Sequence, residues 1–486
     1  MSTISPQVKA GYSVGHVLND LCATMWFSYL LVYFHQILKL DAAMAGYLLL
    51  IGQLTDGLAT PFVGIESDRV GLLGRLYGRR KSWHLFGTVC VVLSFIFIFT
   101  PVPKFIPEVT PDWVALVYYT PFIVIFQIGW ASTQVSHLSV IPNLTPIERE
   151  RTQLNSFRYG GTVLSSIAVY GIAFAFLQSS DSTSLGWEDR HIFNRLAIIV
   201  ICVGSAFSFL FHFFVPEETE LGPLGSIANV NYEDEDIEEN QADHRIENEG
   251  TPLLTENNEE SIKKWTEWFQ LSNFYLTGLI YMSSRLIVNM SQVYMPFYLT
   301  DSLGAPKTMI AIVPLIVFIS GFFMSLSIPI LNKYINNNAI YLIGTVLCIS
   351  GFIWARDLAM PIGSLDPSRK YEIIGIAIMN GIGCAAILIS SLSFTAFLIG
   401  GNTSTSAFVY GAMSLTDKIA NGIAVVIIQN EDPCACDCED CGKFFREVLT
   451  IGVSAICAFA SIAVVAHYFL YVRQPRQQTG YERIDD

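Results

Sequence analysis

The chain has 486 residues, 52% of them hydrophobic and only 14% charged, a composition that excludes an ordinary soluble domain, where charged residues make up about 25%. Its formal net charge of −14 argues against nucleic acid as a partner and gives no attraction to anionic lipid. That charge is local: 15 acidic residues and one Arg lie between Pro216 and Ser261, and the other 27 acidic and 27 basic residues balance.

Twelve apolar runs, each near the roughly 20 residues needed to cross hydrocarbon, stand six on either side of this acidic segment. They lie near residues 12–36, 44–65, 83–101, 113–138, 153–177 and 193–215, then 273–299, 309–331, 339–355, 371–398, 406–429 and 446–472. The runs are apolar nearly all round, unlike the one-faced helices of a soluble core. The expected fold is an all-α membrane protein with 12 transmembrane helices in two six-helix halves. Residues 1–215 form the first half, 216–272 an acidic disordered linker, 273–472 the second half and 473–486 a tail. The linker has too few apolar residues to offset its chain entropy. Lys and Arg set the orientation. With the N-terminus cytosolic, that face carries about 16 of them and the opposite face about 10, so both termini and the linker are expected in the cytosol. The first ten residues show no cleavable signal, because the first apolar run is already full length.

Spans one, two and four carry polar side chains that hydrocarbon does not tolerate without a reason, since a mid-span charge costs about 2.5–3.5 kcal/mol on insertion. In span one His16, Asn19 and Asp20 share a face at i, i+3 and i+4. Span two has Gln53 and Asp56, with Thr60 a turn further on, and span four contributes Gln127, Gln134 and His137. For Asn19, Gln127 and His137, packing hydrogen bonds between helices are the expected role. His16, Asp20 and Asp56 are titratable, and they are candidates for exchanging protons in a coupling cycle.

The linker and the tail carry candidate addresses. Glu249 stands four residues before Leu253-Leu254, an acidic dileucine pattern, and Tyr481 with Ile484 forms a tyrosine-plus-bulky-apolar pattern. Clathrin adaptor complexes read such segments as extended peptides in a disordered cytosolic context. Together they point to endolysosomal residence; they are receptor-read addresses and not anchors.

Span seven holds Tyr281, Arg285, Asn289 and Gln292 at spacings of four, four and three, a polar stripe on an apolar helix. Arg285 sits near the centre, too deep to snorkel, and its planar fork is suited to a carboxylate. Span eleven has the adjacent pair Asp417-Lys418, which point about 100° apart and do not face one cavity. Between spans eleven and twelve Cys434, Cys436, Cys438 and Cys441 crowd together. Disulfides on the lumenal side are the first reading, with a soft metal or reactive thiols as alternatives, since the spacing matches zinc sites poorly. Cys22, Cys90, Cys202, Cys348, Cys384 and Cys457 scatter through spans as small core residues.

GIESDRVGLLGRLYGRRK, from Gly64 to Lys81, resembles the loop-two signature of the major facilitator superfamily, stretched by several residues. That resemblance implies that Asp68, Arg69, Arg79 and Arg80 pin the cytosolic helix ends and serve gating. A narrower likeness is to the glycoside–pentoside–hexuronide symporters, whose cation site uses carboxylates in spans one, two and four beside a span-eleven Lys. Asp20, Asp56 and Lys418 match that pattern, while Thr60 and Gln134 stand where the other two carboxylates belong. Along nearly the whole chain, GHVLNDLCATMWFSYLL, RRKSWHLFGTVCVVLSF, PFIVIFQIGWASTQVSHLSVIP, RLIVNMSQVYM and SAFVYGAMSLTDKIANG resemble a family of lysosomal and melanosomal cysteine importers within that superfamily. The resemblance implies that cysteine moves from cytosol to organelle lumen.

The resulting expectation is a transporter in a lipid bilayer that works by alternating access about a midplane site. Arg285 would take the substrate carboxylate, with Tyr281 and Asn289 on the same face. Asp20 or Asp56 would take the ammonium, and His16, Asp417 and Lys418 would serve coupling or gating. No phosphate-cradling loop, metal-ligand helix or nucleophile–base pair is present, so neither catalysis nor a cofactor nor a metal is expected. A sugar or lysolipid transporter of the same fold, or a membrane scaffold recruiting partners through its acidic loop, are the alternative readings.

Overall fold

The structure is a computed structural model that describes residues 4–67, 77–107, 109–145, 148–180, 182, 184–216, 265–363, 369, 371–400, 406–433 and 439–472. Its long helices make a bundle of twelve spans. Spans one to six are Pro6–Ile37, Ala42–Glu66, Arg79–Ile98, Asp112–Leu144, Glu148–Gln178 and Arg190–Phe214. Spans seven to twelve are Ser272–Phe297, Met309–Leu331, Asn337–Leu358, Glu372–Ile399, Ser406–Asn430 and Asp440–Val472. Spans four and five run past the apolar limits read from sequence, so the four–five connection is largely helical.

Among the described residues, 11 helices are apolar enough over their length to cross a membrane, and span seven is not one of them. The twelve spans expected from sequence are present, and span seven is the polar one among them. The polar helix is sheltered by its neighbours. Thr277, Tyr281, Ser283, Ser284 and Ser291 are buried where span seven packs against spans one, ten, eleven and twelve. Just ahead of it, Trp265–Gln270 forms a short helical turn whose Trp268 is buried against Phe274. This is the end of the segment read as linker.

Local chemistry sets the helix ends. Ser5 accepts from the Val8 amide to open span one, Asp41 accepts from Ala43 and Met44 to open span two, and Asn336 accepts from Ala339 to open span nine. Spans one and seven finish alike, each in a wide turn. The Leu38 amide bonds the Tyr33 carbonyl at 2.9 Å, and the Leu303 amide bonds the Tyr298 carbonyl at 3.0 Å. Each turn then leaves through a left-handed residue, Lys39 at φ 57° and Gly304 at φ 63°. At Gly304 a Cβ would also lie 2.6 Å from the Gly363 carbonyl oxygen, so only glycine fits there.

Small residues set the closest helix pairs in both halves. A Cβ on Gly87 in span three would meet the Gly129 carbonyl of span four at 2.6 Å. A Cβ on Gly383 in span ten would meet the Gly344 carbonyl of span nine at 2.7 Å. The halves join where span two packs on span eleven, span five on span eight and span one on span seven.

Candidate functional site

Two helix registers build the centre of the molecule. Between spans one and five, His16 meets Arg158, Thr24 meets Ser166 and Ser28 meets Tyr170, all at a sequence offset of 142. The distances are 3.1, 3.0 and 2.6 Å. Between spans one and seven, Gln292 Nε2 donates to Ser28 Oγ at 2.9 Å and Gln36 Nε2 donates to Thr300 Oγ1 at 2.9 Å, both at an offset of 264. A constant offset means parallel helices advancing together. The second register sets Asp20 level with Ser284, so Arg285 stands at the depth of Asp20.

Asp20 is 5% exposed. Its Oδ1 lies 3.0 Å from His16 Nδ1, and its Oδ2 is buried without a hydrogen-bond partner. On the far side of the imidazole, Arg158 Nη2 lies 3.1 Å from His16 Nε2. A guanidinium has donors only, so Nε2 accepts and Nδ1 carries the ring proton and donates to Asp20. His16 is thereby held as a neutral imidazole between a cation and an anion.

Arg285 Nη2 donates to Tyr281 Oη at 3.3 Å, and its guanidinium carbon lies 5.4 Å from the Tyr281 ring centroid. Its Nε is buried without a partner. Asp417 of span eleven is the carboxylate acting electrostatically on it. Asp417 is in turn steadied by Asn421 Nδ2, which donates to Asp417 Oδ1 at 3.1 Å. Lys418 turns the other way, into an ion pair with Asp56 Oδ2 of span two at 2.5 Å. Thr60 donates to Asp56 Oδ1 at 3.1 Å and accepts from Lys418 Nζ at 3.3 Å. Adjacent in sequence, Asp417 and Lys418 thus face different partners, as their helical angle requires. Asp56 is neutralised by a lysine of the other half, whereas Asp20 keeps an open carboxylate oxygen.

Asn19 Nδ2 donates to the Trp130 carbonyl at 3.0 Å, Gln134 accepts from Trp130 Nε1 at 2.8 Å, and His137 Nε2 lies 2.8 Å from the Tyr12 carbonyl. Asn19 and His137 tie spans one and four together inside the first half, while the Gln134 bond stays within span four. Asn289 is half-buried on span seven. Arg80 is half-buried at the start of span three, and the Arg79 backbone opens that helix. Asp68, Arg69, Glu249, Leu253, Leu254, Tyr481, Ile484, Cys434, Cys436 and Cys438 lie outside the described residues, as does the Arg79 side chain. Cys441 is disulfide-bonded, and Cys22, Cys90, Cys202, Cys348, Cys384 and Cys457 are free thiols.

Several residues join the site that sequence reading passed over. Arg158 lies near the start of the run 153–177, and only its register with His16 brings it inward. On the side opposite the N-terminus the halves are latched. Lys307 Nζ lies 2.7 Å from Asp189 Oδ1, Gln36 Nε2 donates to Asp301 Oδ1 at 2.9 Å, His35 Nε2 lies 3.7 Å from Asp432 Oδ2, and Tyr47 Oη donates to Asn430 at 3.2 Å. Each contact crosses between halves, so this face is closed. Burial raises the Asp301 carboxyl, just beyond span seven, to about 6, against the lowering effect of its bonds to Thr300 and Gln36.

Comparison with known proteins fits this architecture. Residues 11–221 match the family described as MFS/sugar transport protein. The chain is 42% identical over 479 residues to Major facilitator superfamily domain-containing protein 12 of Homo sapiens, covering 94% of this chain and 93% of that protein. The Mus musculus protein of the same name is 41% identical over 479 residues, covering 95% and 94%. Among solved structures, a D-xylose-proton symporter superposes with a TM-score of 0.67 at 13% identity, over 94% of this chain and 96% of that one. The two half-bundles, their buried charges and the near end-to-end likeness lead to one assignment: the chain belongs to the major facilitator superfamily of transporters, in the family of Major facilitator superfamily domain-containing protein 12.

Proposed function

We propose that this transporter imports cysteine from the cytosol into the lumen of lysosomes and melanosomes by alternating access. The observation that carries the reading is the pairing of an open buried carboxylate oxygen, Asp20 Oδ2, with an open buried guanidinium nitrogen, Arg285 Nε, at one depth on two parallel helices. A zwitterionic amino acid needs one fixed anion and one fixed cation in a site screened from water. Arg285 takes the carboxylate with Tyr281 and Asn289 beside it, and Asp20 takes the ammonium. Asp56, bound to Lys418, holds span two to span eleven during the cycle, and Asp417 gates beside Arg285. A sugar would call instead for neutral hydrogen-bonding groups. The likeness of the motifs to cysteine importers supports cysteine among small amino acids.

In this reading residues 1–215 and 273–472 are the two rocking halves, and the termini and the acidic segment 216–272 face the cytosol. Asp68, Arg69, Arg79 and Arg80 gate that side. Clathrin adaptors read Glu249 with Leu253-Leu254, and Tyr481 with Ile484. Cys434, Cys436, Cys438 and Cys441 form a lumenal disulfide cluster.

Uptake of radiolabelled cysteine into lysosomes isolated from cells with and without the chain tests the function. Saturable uptake that depends on the chain and is competed by unlabelled cysteine is expected; equal uptake in both preparations removes the reading. In the same cells, Leu253→Ala with Leu254→Ala and Tyr481→Ala should move the protein to the plasma membrane, and unchanged lysosomal staining removes the adaptor role.

A further inference from the structure

Arg158 and His16 are a half-buried cation and a buried neutral base held 3.1 Å apart on helices that line the centre, with Asp20 on the other ring nitrogen at 3.0 Å. A structural tie between spans one and five does not require a titratable group, since the Thr24–Ser166 and Ser28–Tyr170 rungs of the same ladder use neutral hydroxyls. The rung at Asp20 is different. It places a base against a carboxylate whose second oxygen is open.

We propose that Arg158, His16 and Asp20 form a proton–substrate exchange switch, in which a proton on His16 and the substrate ammonium at Asp20 exclude each other. This deepens the import reading above and rests on it for the identity of the substrate. In the present state, closed on the face opposite the N-terminus, Arg158 occupies His16 Nε2 and leaves no lone pair there for a proton. The single negative charge of Asp20 is then available to an ammonium arriving from the N-terminal side. For His16 to accept a proton, Arg158 must withdraw, because two cations in contact in a low-dielectric site repel strongly. Neutral His16 plus one proton gives an imidazolium with both ring nitrogens protonated. That imidazolium satisfies Asp20 in place of the ammonium, and one cation replaces the other.

Further titratable groups surround His16 toward the N-terminal side. On span four the His137 ring centroid lies 5.6 Å away. Beyond it the His84 ring of span three is 6.1 Å from His137, and His84 Nδ1 is 3.0 Å from His212 Nε2 of span six. Tyr12 of span one stacks on His137 at 4.2 Å, and Lys81 beside His212 donates to the His212 carbonyl at 3.0 Å. Among the described charged groups in contact with His16, Asp20 is the only carboxylate, so the two cations compete for one anion. Import into an acidic lumen opposes proton symport in the same direction. Exchange reverses that sign, and each unit of pH difference then favours accumulation about tenfold per proton exchanged.

The test uses the full chain in proteoliposomes with radiolabelled cysteine and an interior pH dye. Expected for the native chain is uptake accelerated by an acid interior, with the interior becoming more alkaline as cysteine enters. His16→Gln should transport more slowly and lose all response to the gradient. Nitrogen-15 NMR of histidine-labelled protein reads the switch without substrate. A neutral Nδ1–H tautomer absent from His16→Gln should persist in Arg158→Lys and give way to the doubly protonated imidazolium in Arg158→Met. Native uptake indifferent to the gradient, or an interior that acidifies with uptake, overturns the proposal. Survival of the neutral Nδ1–H ring unchanged in Arg158→Met overturns it as well. Absence of any cysteine uptake by the native chain overturns the import reading instead, and the tautomer still decides what Arg158 does.

Discussion

Lys307 Nζ lies 2.7 Å from Asp189 Oδ1, with both side chains almost completely buried, 2% and 1% exposed. The pair joins the loop before span eight to the turn before span six, so it crosses the two halves on the face opposite the N-terminus. Ser180 and Ser182 also accept from Lys307 Nζ, at 2.9 and 2.7 Å. Fully bonded, the ammonium is a latch that has to part for this face to open.

Lys307→Met should therefore shift the protein toward the state open on that face. Removing one member of a buried pair leaves an uncompensated charge, worth about 3–5 kcal/mol, and opening hydrates it. Maleimide labelling of a cysteine introduced in the closed region should rise several-fold. Lys307→Met with Asp189→Asn should label less than Lys307→Met alone, because no bare charge remains. Equal labelling of the native protein and both variants counts against the latch.

The neighbouring contact of Asp301 with Gln36 and Thr300 makes closure pH-dependent. Burial raises the Asp301 carboxyl from 3.8 to about 6, whereas on an opened face it regains the ordinary value. The closed state binds more protons between those values, so its advantage is present at low pH and is lost as pH rises through about 6. Going from pH 7 to pH 5 on that side should favour closure by up to about tenfold. His35 facing Asp432 at 3.7 Å lies in the same latch. Asp301→Asn should flatten the response, and an unchanged pH profile of labelling in that variant would refute the assignment.

The Asp56–Lys418 pair ties span two to span eleven. Asp56→Asn or Lys418→Met alone should lower the yield of folded protein and its melting temperature, with a loss of about 3–5 kcal/mol from the orphaned charge. Both changes together should recover part of it. Size-exclusion profiles and thermal unfolding in detergent check this; a double variant worse than the sum of the singles denies the pairing.

Arg285→Lys should reduce cysteine transport by about tenfold or more while expression and sorting persist. Lys keeps the charge, and with it most of the insertion cost, but it lacks the planar fork that holds a carboxylate at two points. Pairing with Asp417 alone needs only a point charge, so near-native uptake by Arg285→Lys would make this residue a structural tie.

What sequence reading reached and missed follows from the range of the forces involved. The spans were legible because hydrophobicity is additive along the chain, and a run such as Met309–Leu331 carries its location in its own composition. The caps at Ser5, Asp41 and Asn336 were fixed by residues within three positions of the amides they bind. Span seven was found by its apolar background, yet its tolerance of a polar stripe depends on the helices that shelter it. The faces were equally legible: Tyr281, Arg285, Asn289 and Gln292 share one because helical angle is a local property.

The partners were decided only by tertiary structure. Lys418 meets Thr60 across 358 positions, Arg158 meets His16 across 142, and Lys307 meets Asp189 across 118. Each depends on the rotation and axial register of two helices, set by glycine contacts such as Gly87 against Gly129 and by ridge packing along whole spans. A rotation of one residue, about 100°, would have given Asp56 to a different side chain and left His16 free. The amino-acid sequence by itself determined which charges enter the membrane and on which helix face. The packing of the two halves determined which of them are neutralised, and so which carboxylate, Asp20, keeps an oxygen free.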